Sequence, residues 1–262
     1  MSIIRMAFLS RESLFAFAAL FTVFLPATSP GQDAMQLFHK MQTALGGGDK
    51  IAAIQDFEQC VRADTWDNSG KRHGEVYKRT RWIRPHVLRL DQVGPGDTYF
   101  LYFNGVSGWE ILPDKGFAKL AGDELTFARR YLNGIDLKSW LADRDSQNVF
   151  TTSASDVITI STKNDASYKT EITLDPVTFL PVKEALISLA DASHPVATQT
   201  RQFEGWEAFQ SVKFPRRIIN FHGGKRLADI RLQEIKLDSG MRSEDLAIRP
   251  QGLKPEMSQC GK

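Results

Sequence analysis

Residues 56–103 run DFEQCVRADTWDNSGKRHGEVYKRTRWIRPHVLRLDQVGPGDTYFLYF. Runs rich in β-branched and aromatic residues (56–66, 75–83, 86–93 and 98–103) alternate here with turn-forming clusters. The clusters are Asp67-Asn68-Ser69-Gly70, the Pro85 break, and Gly94-Pro95-Gly96-Asp97. Such punctuation is the signature of consecutive antiparallel strands. In 86–93 Leu88 and Leu90 fall on one face, as a period of two requires. TYFLYF is apolar on both faces, which predicts a strand covered on two sides.

The same pattern extends outward. Trp109 to Leu112 reads as another strand, and alternation resumes at 157 with VITIS, then YKTEITL (168–174), in which Tyr168, Ile172 and Leu174 share a face. VKEALISL, ATQTRQFEGW, FQSVKFP, RRIINFH and a long last strand around 226–237 follow, with turns at Asn164-Asp165, Asp191-Ala192-Ser193 and His222-Gly223-Gly224. Ten or eleven strands result. Helical spacing appears in Met35 to Ala44, which Gly46-Gly47-Gly48 stops, in a short turn from Asp49 to Ile54, and in two segments between Asp123 and Leu141. In the first of those segments Leu125, Phe127, Ala128, Tyr131 and Leu132 can share a face. So long a meander twists and curls. Its concave apolar face must close on itself or be plugged, and the helices are the natural plug.

The N-terminus carries Arg5 and Arg11, then an apolar run from Leu14 to Leu25, then Pro26 before Ala27, Thr28 and Ser29. That is the three-part plan of a secretory signal. At 12 residues the run is short of the roughly 20 that a membrane-spanning helix needs. Cleavage after Gly31 is expected, leaving 32–262 as one domain; the other reading is an uncleaved anchor helix. Lys and Arg number 33 against 31 Asp and Glu, so a nucleic-acid partner has no electrostatic footprint. Cys60 and Cys260 are the only cysteines, and in an oxidising compartment they could pair. The alternative is one buried thiol and one thiol in the tail.

A search for chemistry finds no catalytic constellation and no call for a cofactor. His39, His73, His86, His194 and His222 have no metal-ligand partner at the usual spacing. Gly105-Val106-Ser107-Gly108-Trp109 misses the nucleophile-elbow pattern by one position and precedes a strand rather than a helix. Gly46-Gly47-Gly48-Asp49-Lys50 lacks the spacing of a phosphate loop. Asp123-Glu124 and Glu244-Asp245 fall at helix starts or in loops, where the helix dipole accounts for them.

Several local sequences, taken in order, resemble the LolA-like outer-membrane lipoprotein-sorting proteins of the periplasm. They are Ala44-Leu45-Gly46-Gly47, Phe103-Asn104-Gly105 leading to Gly108-Trp109, Leu174-Asp175-Pro176, Phe179-Leu180-Pro181-Val182-Lys183 and Phe214-Pro215. The resemblance implies a mainly β fold: a strongly curved antiparallel open half-barrel with helices covering the concave face. It also implies a periplasmic, non-enzymatic carrier whose partners are lipid or lipoprotein acyl chains and envelope membrane proteins. The physical logic is that each buried methylene is worth about 0.8 kcal/mol, so a sixteen-carbon chain gains roughly 12 kcal/mol by leaving water. The pool of candidate lining residues is Trp82, Leu88, Leu90, Tyr99, Leu101, Phe103, Ile158, Ile160, Ile172 and Leu174. The competing reading is an envelope interaction module whose concavity is filled by its own side chains.

Overall fold

The computed structural model describes residues 30–95, 98–163, 165–189, 196–252 and 258. The signal-like segment, Gly96-Asp97, Asn164, the Asp191-Ala192-Ser193 turn with His194, and Cys260 lie outside the described residues. The elements are α1 (Pro30–Leu45), α2 (Gly48–Ala53), β1 (Asp56–Trp66), β2 (Arg72–Ile83), β3 (Val87–Val93), β4 (Tyr99–Phe103), β5 (Gly108–Leu112) and β6 (Gly116–Lys119). They continue with α3 (Gly122–Asn133), α4 (Asp136–Ser139), a 3₁₀ turn, β7 (Asn148–Ala154), β8 (Val157–Thr162), β9 (Asp165–Leu174) and β10 (Pro181–Ser188). The last are β11 (Val196–Phe209), β12 (Val212–His222), β13 (Lys225–Leu237) and α5 (Ser243–Ala247).

All thirteen strands form one antiparallel sheet in the order β6-β5-β4-β3-β2-β1-β13-β12-β11-β10-β9-β8-β7. Two meanders are therefore joined at β1 and β13. The α3–α4 connector carries the chain from one outer edge of the sheet to the other, because β6 and β7 are its two end strands. The sheet does not close, and its fold is the expected open half-barrel. Among the described residues no helix is long and apolar enough to cross a membrane.

Register explains which side chains face inward. Trp82 pairs with Phe57 and Leu88, Leu88 with Phe103, and Leu90 with Leu101, so one apolar stripe runs across β1 to β4. Ile158 pairs with Ile172, and Ile160 with Thr170, on the other wing. The core joins these to Phe38, Met41 and Leu45 of α1, Ile51 of α2, and Leu137 and Trp140 of the connector. Helix α1 lies directly against β7, β8 and β12. Phe38 packs edge-on to Phe150 at 5.0 Å, and Trp140 sits 5.4 Å from Phe214. Gly46 ends α1 with φ of 127°, and a Cβ there would collide with the carbonyl oxygen of Ser211. A helix stop and a close approach to the β11–β12 turn thus meet in one residue.

The convex face is also partly covered. Arg89 and Asp91 of β3 are buried there, and Arg89 donates to the carbonyl oxygens of Leu246 and Ile248 at 3.0 and 2.9 Å. Asp56 organises the turn that brings this segment back. Its carboxylate accepts from the backbone N–H groups of Ser239, Gly240 and Met241 and from the Ser239 hydroxyl. Phe100, on the same face, is fully buried, so the two-sided cover expected of TYFLYF is present. Cys60 is disulfide-bonded and 3% exposed.

Three differences from the expected elements have physical reasons. Strands β6 and β7 lack an alternating pattern, and each is formed by pairing onto a neighbour's free edge. FQSVKFP and RRIINFH are not two strands: Phe209 ends β11, and 212–222 is a single strand. Pro215 is tolerated because β13 pairs with β12 only from Arg217 onward, which makes that stretch locally an edge. Helix α1 begins at Pro30, five residues earlier than its apolar spacing suggests. Proline is well placed there, since a first-turn N–H has no intrahelical partner in any case.

Candidate functional site

Unlike α1, α3 makes no comparably close backbone approach to any strand. It touches the core through Ala128 and Leu132, and beside that contact a cleft of about 450 Å³ remains between helix and sheet. Sites for small molecules commonly measure about 300–1,000 Å³. The floor is built from inward positions on four successive strands: Lys78 on β2, Leu90 and Gln92 on β3, Tyr99 on β4, and Glu110 on β5. Their register is direct, because Lys78 pairs with Gln92, Gln92 with Tyr99, and Leu101, two residues on from Tyr99, with Glu110. The roof is Phe127 and Tyr131, with Asp123 and Glu124 at the first turn of α3.

The rings turn a corner. Tyr99 meets Phe127 edge-on at 6.4 Å, and Phe127 meets Tyr131 at 6.2 Å. Lys78 Nζ lies 4.3 Å from the Tyr131 centroid. Burial, then the neighbouring Glu124 charge, pushes the Glu110 carboxyl above its usual range, with Lys115 and the Tyr99 hydroxyl pulling the other way. Burial and Glu110 raise the Tyr99 phenol. No group here is arranged as a nucleophile with a base. What the cleft offers is apolar surface with a few charged positions.

A second groove, of about 510 Å³, lies between α1 and the β9–β10 turn. It is walled by the polar side of the helix, including Gln36, His39 and Thr43.

Of the ten candidate lining residues, Leu90 and Tyr99 border the cleft. Trp82, Leu88, Leu101, Phe103, Ile158, Ile172 and Leu174 are buried in the packed core, and Ile160 packs against it. The structure adds Lys78, Gln92, Glu110, Asp123, Glu124, Phe127 and Tyr131. Glu110 could have been found from its position between Trp109 and Ile111, since a polar residue at an inward strand position is the informative exception. Phe127 shares a helical face with core residues in the sequence, yet it is 50% exposed and borders the cleft instead. Asp123 and Glu124 do lie in the first turn of α3, as their dipole reading expects, and they flank the cleft as well.

An uncapped antiparallel sheet whose concave side is roofed by helices defines a LolA-like fold. Similar solved structures include a provisionally named outer membrane lipoprotein-sorting domain from Vibrio parahaemolyticus. It is 10% identical with a TM-score of 0.53, over 81% of this chain and 95% of that one. A DUF1329 family protein from Desulfovibrio piger is 11% identical with a TM-score of 0.57, over 84% and 98%. A LolA superfamily protein from Nitrosomonas europaea is 12% identical with a TM-score of 0.50, over 85% and 99%. At these identities the likeness is one of fold. No family model and no curated protein sequence matches the chain.

Proposed function

We propose that the chain is an exported, periplasmic carrier without catalytic activity, a single domain over 32–262, which shelters an acyl chain of a lipid or lipoprotein in the α3 cleft. The observation that carries this reading is the vacant space of about 450 Å³ between α3 and β2–β5. It is walled in part by Leu90, Tyr99 and Phe127, on a sheet whose remaining concavity is filled by the protein's own helices. The signal-like N-terminus and the LolA-like fold support the compartment and the class of guest.

Energetics set the affinity expected. A sixteen-carbon tail buried completely gains roughly 12 kcal/mol. Lost translational and rotational freedom costs about 4 kcal/mol or more. Binding is then about micromolar or weaker. Titrating detergent-free protein with a fluorescent sixteen-carbon amphiphile bearing an uncharged head should give saturable binding in that range. A titration with no saturation, from protein that also releases no lipid on solvent extraction, would contradict the proposal.

The packing of Trp82, Leu88 and Phe103 against the helices favours one second reading, an envelope interaction module whose cavity is largely self-filled. The same titration separates the two, since a filled module takes up no amphiphile.

A further inference from the structure

The charge of the cleft does not suit a container for hydrocarbon alone. Three carboxylates, Glu110, Asp123 and Glu124, surround the space against one ammonium, Lys78. Glu110 is only 7% exposed; the Tyr99 hydroxyl bonds to it and the Lys115 charge acts on it, yet burial still disfavours its charged form. A further cationic neighbour inside the cleft relieves that cost. The second observation is aromatic. Tyr99, Phe127 and Tyr131 follow one another around the same corner, with interplanar angles of 76° and 47°. The three rings thus line one side of the same cleft. One of them already attracts a cation, since Lys78 Nζ stands 4.3 Å from the Tyr131 centroid, inside the roughly 6 Å reach of a cation–π contact.

We propose that this corner receives the ammonium head, primary or quaternary, of the amphiphile whose tail enters the cleft. The proposal rests on the acyl-chain reading above and adds the charge of the guest. Rings turned about a cation, with carboxylates behind them, are the general solution for recognising alkylated ammonium groups. An anionic head would instead meet the buried Glu110 carboxyl and the exposed Asp123 and Glu124 carboxylates, with Lys78 the one opposing charge in the cleft's lining. A guest ammonium competes with Lys78 for the Tyr131 face, so Lys78 limits affinity rather than supplying it.

The test uses three probes with one ten-carbon tail: decyltrimethylammonium, decyl maltoside and decanoate. Each is titrated calorimetrically into the full mature protein below its micelle-forming concentration, in about 0.15 M salt to suppress remote electrostatics. The cation is expected to bind about tenfold more tightly than the maltoside, with decanoate weakest. In Glu110→Gln the cation should lose clearly more affinity than the maltoside, so that its advantage over the maltoside falls to about nothing. Asp123→Asn with Glu124→Gln, at exposed positions on α3, carries the same expectation should Glu110→Gln fail to fold. Lys78→Met should tighten the cation alone.

A cation that binds no better than the maltoside overturns the head-group proposal and leaves the acyl-chain reading standing. Failure of all three probes overturns the head-group proposal, and removes the acyl-chain reading as well when the sixteen-carbon amphiphile also shows no saturable binding. Equal losses for cation and maltoside in the carboxylate variants would make those carboxylates structural and would also overturn the proposal.

Discussion

Loss of the disulfide at Cys60, by reduction or by Cys60→Ser, is expected to lower the unfolding free energy by about 5 kcal/mol. Cys60 is disulfide-bonded, and the sequence offers one other cysteine, Cys260, which lies outside the described residues. We propose that these two pair. Closure of a loop of about 200 residues restricts the unfolded chain strongly, and the chain-entropy estimate follows from that length. The folded state gains as well. Cys60 points to the convex face opposite Arg79 and Glu234, the face to which Arg89 ties the segment around α5. A bond from Cys60 to the C-terminal region would strap that segment across β1 to β3. Urea midpoints with and without reductant, together with thiol counting by alkylation and mass measurement, read this directly. Two free thiols in unreduced protein, or a midpoint indifferent to reductant, would refute it.

Asp91→Ala is expected to cost about 3–5 kcal/mol, the range for removing one partner of a buried ion pair. Asp91 is fully buried and accepts from Arg89 Nε at 2.6 Å and from Arg81. The alanine variant leaves both guanidinium groups with their desolvation and without their carboxylate. Arg89 keeps its bonds to the Leu246 and Ile248 carbonyl oxygens and its place over the Trp109 ring, but without the carboxylate that orients it the attachment of α5 to β3 should loosen as well. Proteolysis should therefore cleave the C-terminal segment sooner in the variant than in the parent. A variant within about 0.5 kcal/mol of the parent, the ordinary range for surface substitutions, would mean that the convex pair is solvated.

The fold was legible because its signals are local. Turn clusters at 67–70 and 222–224 and the inward alternation of Leu88 and Leu90 needed no tertiary information. Strands β6 and β7 were not legible, because Gly116–Lys119 and Asn148–Ala154 are strands by virtue of the edges they pair with. The C-terminal cover on the convex face had one sequence signal, the two-sided apolarity of TYFLYF, which shows that a cover exists and not which segment supplies it. The site was legible in a limited sense. Alternation places Trp82, Leu101 and Phe103 on the concave face, but whether a concave residue meets another side chain or open space depends on how closely a helix approaches. Helix α1 fills its half of the concavity with Phe38 and Met41, while α3 stands off and leaves Leu90 and Tyr99 at a cleft. No spacing rule encodes that difference.

The central claim is that the α3 cleft is the seat of a bound acyl chain, and it is tested most directly by lipid occupancy in a variant that fills the cleft. Gln92 is half-buried on the floor, so Gln92→Trp should occupy the space without disturbing the core beneath it. Native mass spectrometry of parent and variant, both purified without detergent, is the measurement. The account predicts lipid bound to the parent and absent from a Gln92→Trp protein of unchanged thermal midpoint. A parent that carries no lipid, or a variant that carries as much as the parent, would contradict it.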